Sequence, residues 1–127
     1  MPQFYSGQQD YITKLNAPFS VNALTAVSSV GASSRALDLS LGNIFTVSIS
    51  AAGIANLTLT ITNAPVSLPV EITLYVTTTT ANAHTIVWPT TTNWTSAPGS
   101  LSSIRTYVYK LITDGTASTW YGTAIRV

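Results

Sequence analysis

The most regular feature of the chain is an alternation of apolar and polar residues that begins near residue 35 and continues almost to residue 126. Leu57, Leu59 and Ile61, for example, are separated by single threonines. A period of two residues is typical of β-strands with one face toward a core and one toward solvent. The pattern predicts about seven strands, near residues 37–41, 45–49, 57–61, 70–77, 84–88, 104–113 and 118–126.

Turn signals separate these predicted strands at short intervals. Gly42-Asn43 and Asp114-Gly115 are both residue pairs that favour tight turns, and the first is typical of a β-hairpin. No run of alternating strands and helices is present. We therefore expect an all-β fold, an antiparallel β-sandwich or jelly-roll-like barrel with about seven strands.

The first residues follow a different pattern, so we divide the chain into an N-terminal arm (residues 1–22) and a β-sandwich domain (residues 23–127). The segment 8–16 could form a short helix that Pro18 would end. A helix this short is marginal by itself. The arm either orders against a neighbouring molecule or is a frayed terminus.

The charge content favours assembly over a monomeric state. Only 7% of the residues are Asp, Glu, Lys or Arg, and the formal net charge is +1. Soluble domains average about 25% charged residues. Threonine, serine and asparagine supply the polarity instead, and these groups cost less to remove from water than ions do. We expect a surface that tolerates being covered by another protein.

Several function classes find no support in the sequence. The five Lys and Arg residues are scattered, so we expect no nucleic-acid partner. No segment resembles a signal peptide or approaches the roughly 20 apolar residues of a membrane span, so we expect no membrane partner. The absence of cysteine is compatible with synthesis in a reducing cytoplasm.

The residues that carry catalytic chemistry are few and dispersed. His84 is the only histidine, and its position beside a turn indicates a loop or strand-end residue. The acids Asp38 and Glu71 lie on polar strand faces, where Glu71 could pair with Lys110 or Arg105 across strands. We expect no catalytic residues, no metal site and no cofactor, although a small hydrolase that depends on His84 stays as a third hypothesis.

Large aromatic residues concentrate in the last third of the chain. They are Trp88, Trp94, Tyr107, Tyr109, Trp120 and Tyr121. Such rings either pack in a core or an interface, or stack on sugar rings when exposed. Pro89 would end the strand that holds Trp88, and Gly122 would allow the close approach of a large ring.

A series of short motifs resembles a β-domain that recurs in tailed-bacteriophage virion proteins, including tail-fibre proteins and small structural proteins. The series includes Val87-Trp88-Pro89, Pro98-Gly99 and the closing Trp120-Tyr121-Gly122, and the resemblance covers roughly residues 37–125. The resemblance implies a phage structural protein, made in the bacterial host cytoplasm and located in the virion.

Within that class, the short arm and single domain favour a capsid decoration (cement) protein, not an enzyme. We expect a homotrimer that binds the major capsid protein or a tail component and stabilises the shell by added interface. The alternative is a tail-fibre or receptor-binding protein with a glycan-contacting surface near Trp94, Tyr107 and Tyr109. The candidate partner-binding residues are in the arm: Tyr5, Tyr11, Ile12, Leu15 and Phe19.

Overall fold

A computed structural model of the protein describes residues 21–89, 92–94, 97–113, 115 and 119–126. These residues form nine β-strands. The strands are β1 (Val21–Ala23), β2 (Gly31–Asp38), β3 (Ile44–Ile49), β4 (Ala55–Thr62), β5 (Val70–Thr78), β6 (Thr85–Val87), β7 (Thr92–Trp94), β8 (Thr106–Thr113) and β9 (Trp120–Arg126). The predicted arm residues Tyr5, Tyr11, Ile12, Leu15 and Phe19 lie outside the described part of the chain.

The strands build a β-solenoid of three coils, each made of two strands in opposite sheets. β1, β3 and β5 lie in a six-stranded sheet of order β1-β3-β5-β8-β9-β7, and β2, β4 and β6 form a three-stranded sheet. Successive coils pair in parallel, as β1 with β3, β3 with β5, β2 with β4 and β4 with β6. The hydrophobic core lies between the two sheets.

The predicted antiparallel β-sandwich is wrong, although the all-β class is confirmed. Only β5 with β8 and β8 with β9 pair antiparallel among the named strands. Gly42-Asn43 does not close a hairpin, because β2 and β3 belong to different sheets. Gly42 has φ 138° and lies where the chain turns from one sheet to the other. The alternation fixed which residues face inward, but it is the same in a solenoid and in a sandwich.

The predicted strand faces are confirmed for the central strands. Phe45, Val47 and Ile49 of β3 are buried, as are Ile72, Leu74 and Val76 of β5. Corresponding residues of the second and third coils are also separated by one constant number of residues. A spacing of 29 residues relates Ile44 to Thr73 in one sheet and Thr58 to Val87 in the other. Inward-facing side chains of adjacent coils therefore stack directly on one another.

Candidate functional site: the outer face of the six-stranded sheet

The six-stranded sheet presents apolar side chains to solvent as well as to the core. Because strand residues alternate between faces, the residues between the core positions must point outward. Five of these outward apolar side chains are exposed, from 39% for Tyr75 to 62% for Val21, and two others, Ile44 and Val108, are partly buried. We call this surface the outer face; its apolar residues are Val21, Ile44, Tyr75, Val108, Ile112, Tyr121 and Ile125.

The strand register brings these side chains into neighbouring positions. Tyr75 of β5 lies directly opposite Val108 of β8. Ile112 of β8 lies opposite Tyr121 of β9. Threonines fill much of the remaining surface, and the hydroxyls of Thr77 and Thr106 lie 3.0 Å apart. The outer face is therefore a mixture of apolar and hydroxyl side chains.

The described side chains of the outer face carry no net charge. Glu71 of β5 and Lys110 of β8 form an ion pair there, and both side chains are partly exposed. The predicted cross-strand pairing of Glu71 is thus confirmed, with Lys110 as the partner. A partly exposed ion pair of this kind contributes about 0–1 kcal/mol. Because the two charges cancel, two copies of this face would not repel each other through a net charge.

The size of the outer face approaches that of one side of a protein–protein interface. The sheet has six strands. At a spacing of about 4.8 Å and a mean strand length of roughly 20 Å, its area is on the order of 600 Å². A stable interface uses about 800 Å² from each partner. Clusters of exposed apolar side chains rimmed by polar ones commonly mark interaction sites on soluble proteins.

The aromatic residues of the last third pack against one another. The ring centroids of Trp88 and Trp94 lie 4.8 Å apart, and those of Trp88 and Tyr109 lie 4.9 Å apart, both edge-to-face. Gly122 of β9 lies opposite Trp94 of β7, and a Cβ atom placed on it would lie 2.7 Å from the indole ring. The predicted close approach of a large ring at Gly122 is confirmed.

This packing limits which aromatic residues could contact a sugar. Tyr107 and Tyr109 are buried, and burial raises the pKa of Tyr109, with a smaller contribution from Tyr107. The Tyr107 hydroxyl accepts a hydrogen bond from the backbone N–H of Ser103 at 3.1 Å. Trp88 and Trp94 are only partly buried. Of the three residues near the predicted glycan-contacting surface, only Trp94 is therefore accessible in the single chain, with Trp88 beside it, whereas Tyr121 is exposed separately on the outer face.

His84 is a buried residue that links two coils. Its Nδ1 accepts a hydrogen bond from the backbone N–H of Ala55 at 3.1 Å. Its Nε2 lies 3.0 Å from the hydroxyl of Thr80, which donates to the carbonyl of Ala51 at 2.7 Å. Nε2 therefore carries the proton and donates to Thr80. Both ring nitrogens are used within the fold, at the corners where coils two and three turn.

The two carboxylates in the described part of the chain, Asp38 and Glu71, belong to strands of different sheets. Asp38 ends β2, and Glu71 lies on the outer face beside Lys110. Asp38 accepts hydrogen bonds from Asn63 and Ser40, and these bonds lower its pKa. Within the described ranges, no three His, Cys, Asp or Glu side chains come together. In the same part of the chain, no helix is long and apolar enough to cross a membrane.

The candidate contacts predicted from the sequence lie in the arm, and the outer face was not among the predicted sites. A signal was present, since Tyr75 and Ile112 are large apolar residues at positions where the alternation calls for polar ones. In β5 and β8, apolar residues therefore occupy both the inward and the outward positions. That pattern predicts a strand that is covered on both faces. Comparison of the chain with protein-family models, curated proteins and solved structures found no match.

Proposed function

We propose that this protein is a structural protein that assembles with copies of itself through the outer face. The observation that supports this most is that one face of the six-stranded sheet combines exposed apolar side chains with a single, internally neutralised ion pair among its described residues. A second copy is the partner that fits best. A strongly acidic or basic partner would find no complementary charge among the described side chains of this face.

The particle that we propose for this assembly is a tailed-bacteriophage virion. The motif series that ends in Trp120-Tyr121-Gly122 supports it. Within the virion, the proposed role is capsid decoration, in which a homotrimer binds capsomers and adds buried interface that stabilises the shell. The chain would be made in the host cytoplasm, and no catalytic step is part of this proposal.

Self-assembly is tested by placing a charge on the outer face. Ile112→Lys puts an ammonium group in the middle of the proposed interface. Val87→Lys is the matched control, because Val87 is similarly exposed but lies on the three-stranded sheet. An unpaired charge buried in an interface costs several kcal/mol, and about 1.4 kcal/mol corresponds to a tenfold change in affinity. Sedimentation equilibrium should show assembly weakened at least tenfold by Ile112→Lys alone.

The opposite results would count against the proposal. A wild-type chain that stays monomeric at its highest soluble concentration would refute self-assembly. Equal assembly of the two lysine variants would show that the outer face is not the interface. The particle role is tested separately, by the copy number of this chain in purified virions. Hundreds of copies in simple ratio to the capsid protein would support decoration.

The second candidate function is a tail-fibre or receptor-binding role. The partial exposure of Trp88 and Trp94 supports it, because indole rings at a protein surface can stack on sugars. A glycan array probed with wild type and with Trp94→Phe distinguishes this role from decoration. Binding that weakens in the variant, together with a few to a few dozen copies per virion, would favour the tail.

A further inference from the structure

The first coil of the solenoid is polar inside at positions where the second coil is apolar. In the parallel register of β2 with β4, Ser33 lies beside Leu57 and Arg35 lies beside Leu59. Both leucines are fully buried or nearly so. Ser33 and Arg35 are only half-buried. The inward stacking of apolar side chains is therefore interrupted at Ser33 and Arg35, and it resumes at Leu37, which is fully buried.

The Arg35 side chain is used to bind backbone carbonyl groups. Its Nε donates to the carbonyl of Thr25 at 2.7 Å, and Nη2 donates to that of Ala26 at 2.9 Å. Its Nη1 donates to the carbonyl of Ser34 at 2.7 Å. The guanidinium group thus spans from β2 to the segment that follows β1. Three carbonyl groups of the first coil receive charge-assisted hydrogen bonds from one side chain.

The Ser34 carbonyl belongs to the open edge of β2. The backbone N–H groups of Gly31 and Leu39 donate toward β4. Because consecutive strand residues point their backbone groups to opposite sides, those of Ala32, Ser34 and Ala36 point away from β4. No described strand pairs with β2 on that side. An eight-residue strand with such an edge is a ready template for pairing with another chain.

We infer that Arg35 closes this edge against a second copy of the chain. The edge is self-complementary. An antiparallel pairing about a two-fold axis at Ser34 brings Ala32 opposite Ala36 of the second copy. The side chains at these positions are small and uncharged, so they present no steric or electrostatic barrier. The two central hydrogen bonds of that pairing run from the Ser34 N–H of each copy to the Ser34 carbonyl of the other, and Arg35 Nη1 already donates to that carbonyl. An inward-pointing charge is a known way of protecting an edge strand.

This edge is a different surface from the outer face, and the inference does not depend on the proposed function. The outer face lies on the six-stranded sheet, whereas β2 is an edge of the three-stranded sheet. Arg35 directs any self-assembly away from the end of the solenoid. Replacing Arg35 should therefore allow a further contact, in which the β2 edges of two solenoids pair.

A cysteine cross-link tests the inference directly, because the chain contains no cysteine. Ser34→Cys places one thiol at the two-fold centre, where paired Cα atoms lie about 5.5 Å apart, a distance that a disulfide spans. The cross-link is measured in three chains that also carry Ile112→Lys to weaken contacts through the outer face. One has Arg35 intact, one carries Arg35→Leu, and the control carries Arg105→Gln.

The choice of variants keeps the result interpretable. Leucine is the side chain that the neighbouring coil already has beside Arg35, at Leu59. Arg105→Gln removes the same charge from an exposed residue elsewhere in the chain. Circular dichroism confirms the β content of each variant before oxidation. If Arg35→Leu does not fold, Arg35→Gln replaces it, since glutamine cannot reproduce the three-carbonyl contact.

The expected result is about tenfold more disulfide-linked dimer from the Arg35 variant than from the other two chains. The dimer should also grow with protein concentration, as a pairing between two molecules requires. Equal yields in all three chains, whether high or low, would overturn the inference. An increase produced equally by Arg105→Gln would overturn it as well, because charge alone would then explain the effect.

Discussion

Replacing Gly122 with alanine should destabilise the protein through a single steric contact. The new Cβ would lie 2.7 Å from Cε3 and Cζ3 of Trp94 and 2.8 Å from Cδ2. Carbon atoms in favourable contact are about 3.5–4.0 Å apart. The indole must therefore move by about 1 Å, or β7 must shift away from β9. Gly122 has no positive φ among the described backbone angles, so the cost is one of space.

The size of the effect follows from the packing around Trp94. Forcing an extra carbon into a packed site costs about 1–3 kcal/mol. Displacing the indole also weakens its edge-to-face contacts with Trp88 and Tyr109, and each such contact is worth about 0.5–1.5 kcal/mol. The lower entropy of the unfolded alanine chain offsets about 0.4–1 kcal/mol. We expect the free energy of unfolding to fall by about 1–3 kcal/mol.

Chemical and thermal unfolding followed by circular dichroism measure this change. For a chain of 127 residues, about 1 kcal/mol corresponds to about 4 °C in Tm. Gly99→Ala is the control, because nothing lies within 4 Å of the added Cβ there. In a Trp94→Ala background the cost of Gly122→Ala should disappear. A cost that persists in that background, or that Gly99→Ala matches, would refute the steric explanation.

Three further predictions concern single polar groups. His84→Leu leaves the buried N–H of Ala55 without its acceptor, so urea unfolding should show a loss of about 1–3 kcal/mol; an unchanged midpoint would contradict the proposed link between coils. Burial raises the pKa of Tyr109 above the ordinary value of 10.0, so the folded state holds the phenol proton more tightly. The stability that the protonated Tyr109 contributes is complete below pH 10.0 and is lost as pH rises above that value. In urea unfolding at alkaline pH, Tyr109→Phe should therefore show a smaller loss of stability with rising pH. The hydrogen bond from Asn63 is the largest cause that lowers the pKa of Asp38 below 3.8. The stability contributed by the ionised Asp38 is therefore present above pH 3.8 and is lost as pH falls. Asp38→Asn should make the free energy of unfolding less dependent on acid pH.

The inward and outward faces of the strands could be predicted from the sequence, but which strands pair with each other could not. Alternation identified Phe45 and Leu74 as inward-facing, and both are buried. The pairing of β3 with β5 depends on the path between them, which crosses to the other sheet and back. A repeat would have revealed that path, because solenoid coils recur at a fixed period. Over the aligned residues 44–58 and 73–87, however, only Val47 with Val76 and Ala52 with Ala81 are identical.

The candidate site was harder to predict than the core, for a physical reason. A core position is recognised by its apolar side chain alone. An interaction surface depends on which exposed residues become neighbours, and the pairing of Tyr75 with Val108 joins strands 33 positions apart. His84 shows the same limit. Its solitary position suggested a strand end, whereas its bonds to Ala55 and Thr80 arise only when coils two and three stack.

Because the strand pairings differ in length, the strands should detach in a defined order when the protein is pulled. β1 pairs with β3 over three residues, whereas β2 pairs with β4 over eight. Tension applied at Val21 would peel the short ladder of β1 first and reach the longer ladder only afterwards. At the opposite side of the sheet, β8 is held on both edges, by β5 and by β9. Under load the protein should therefore yield coil by coil from β1, with the β8 region as its anchor.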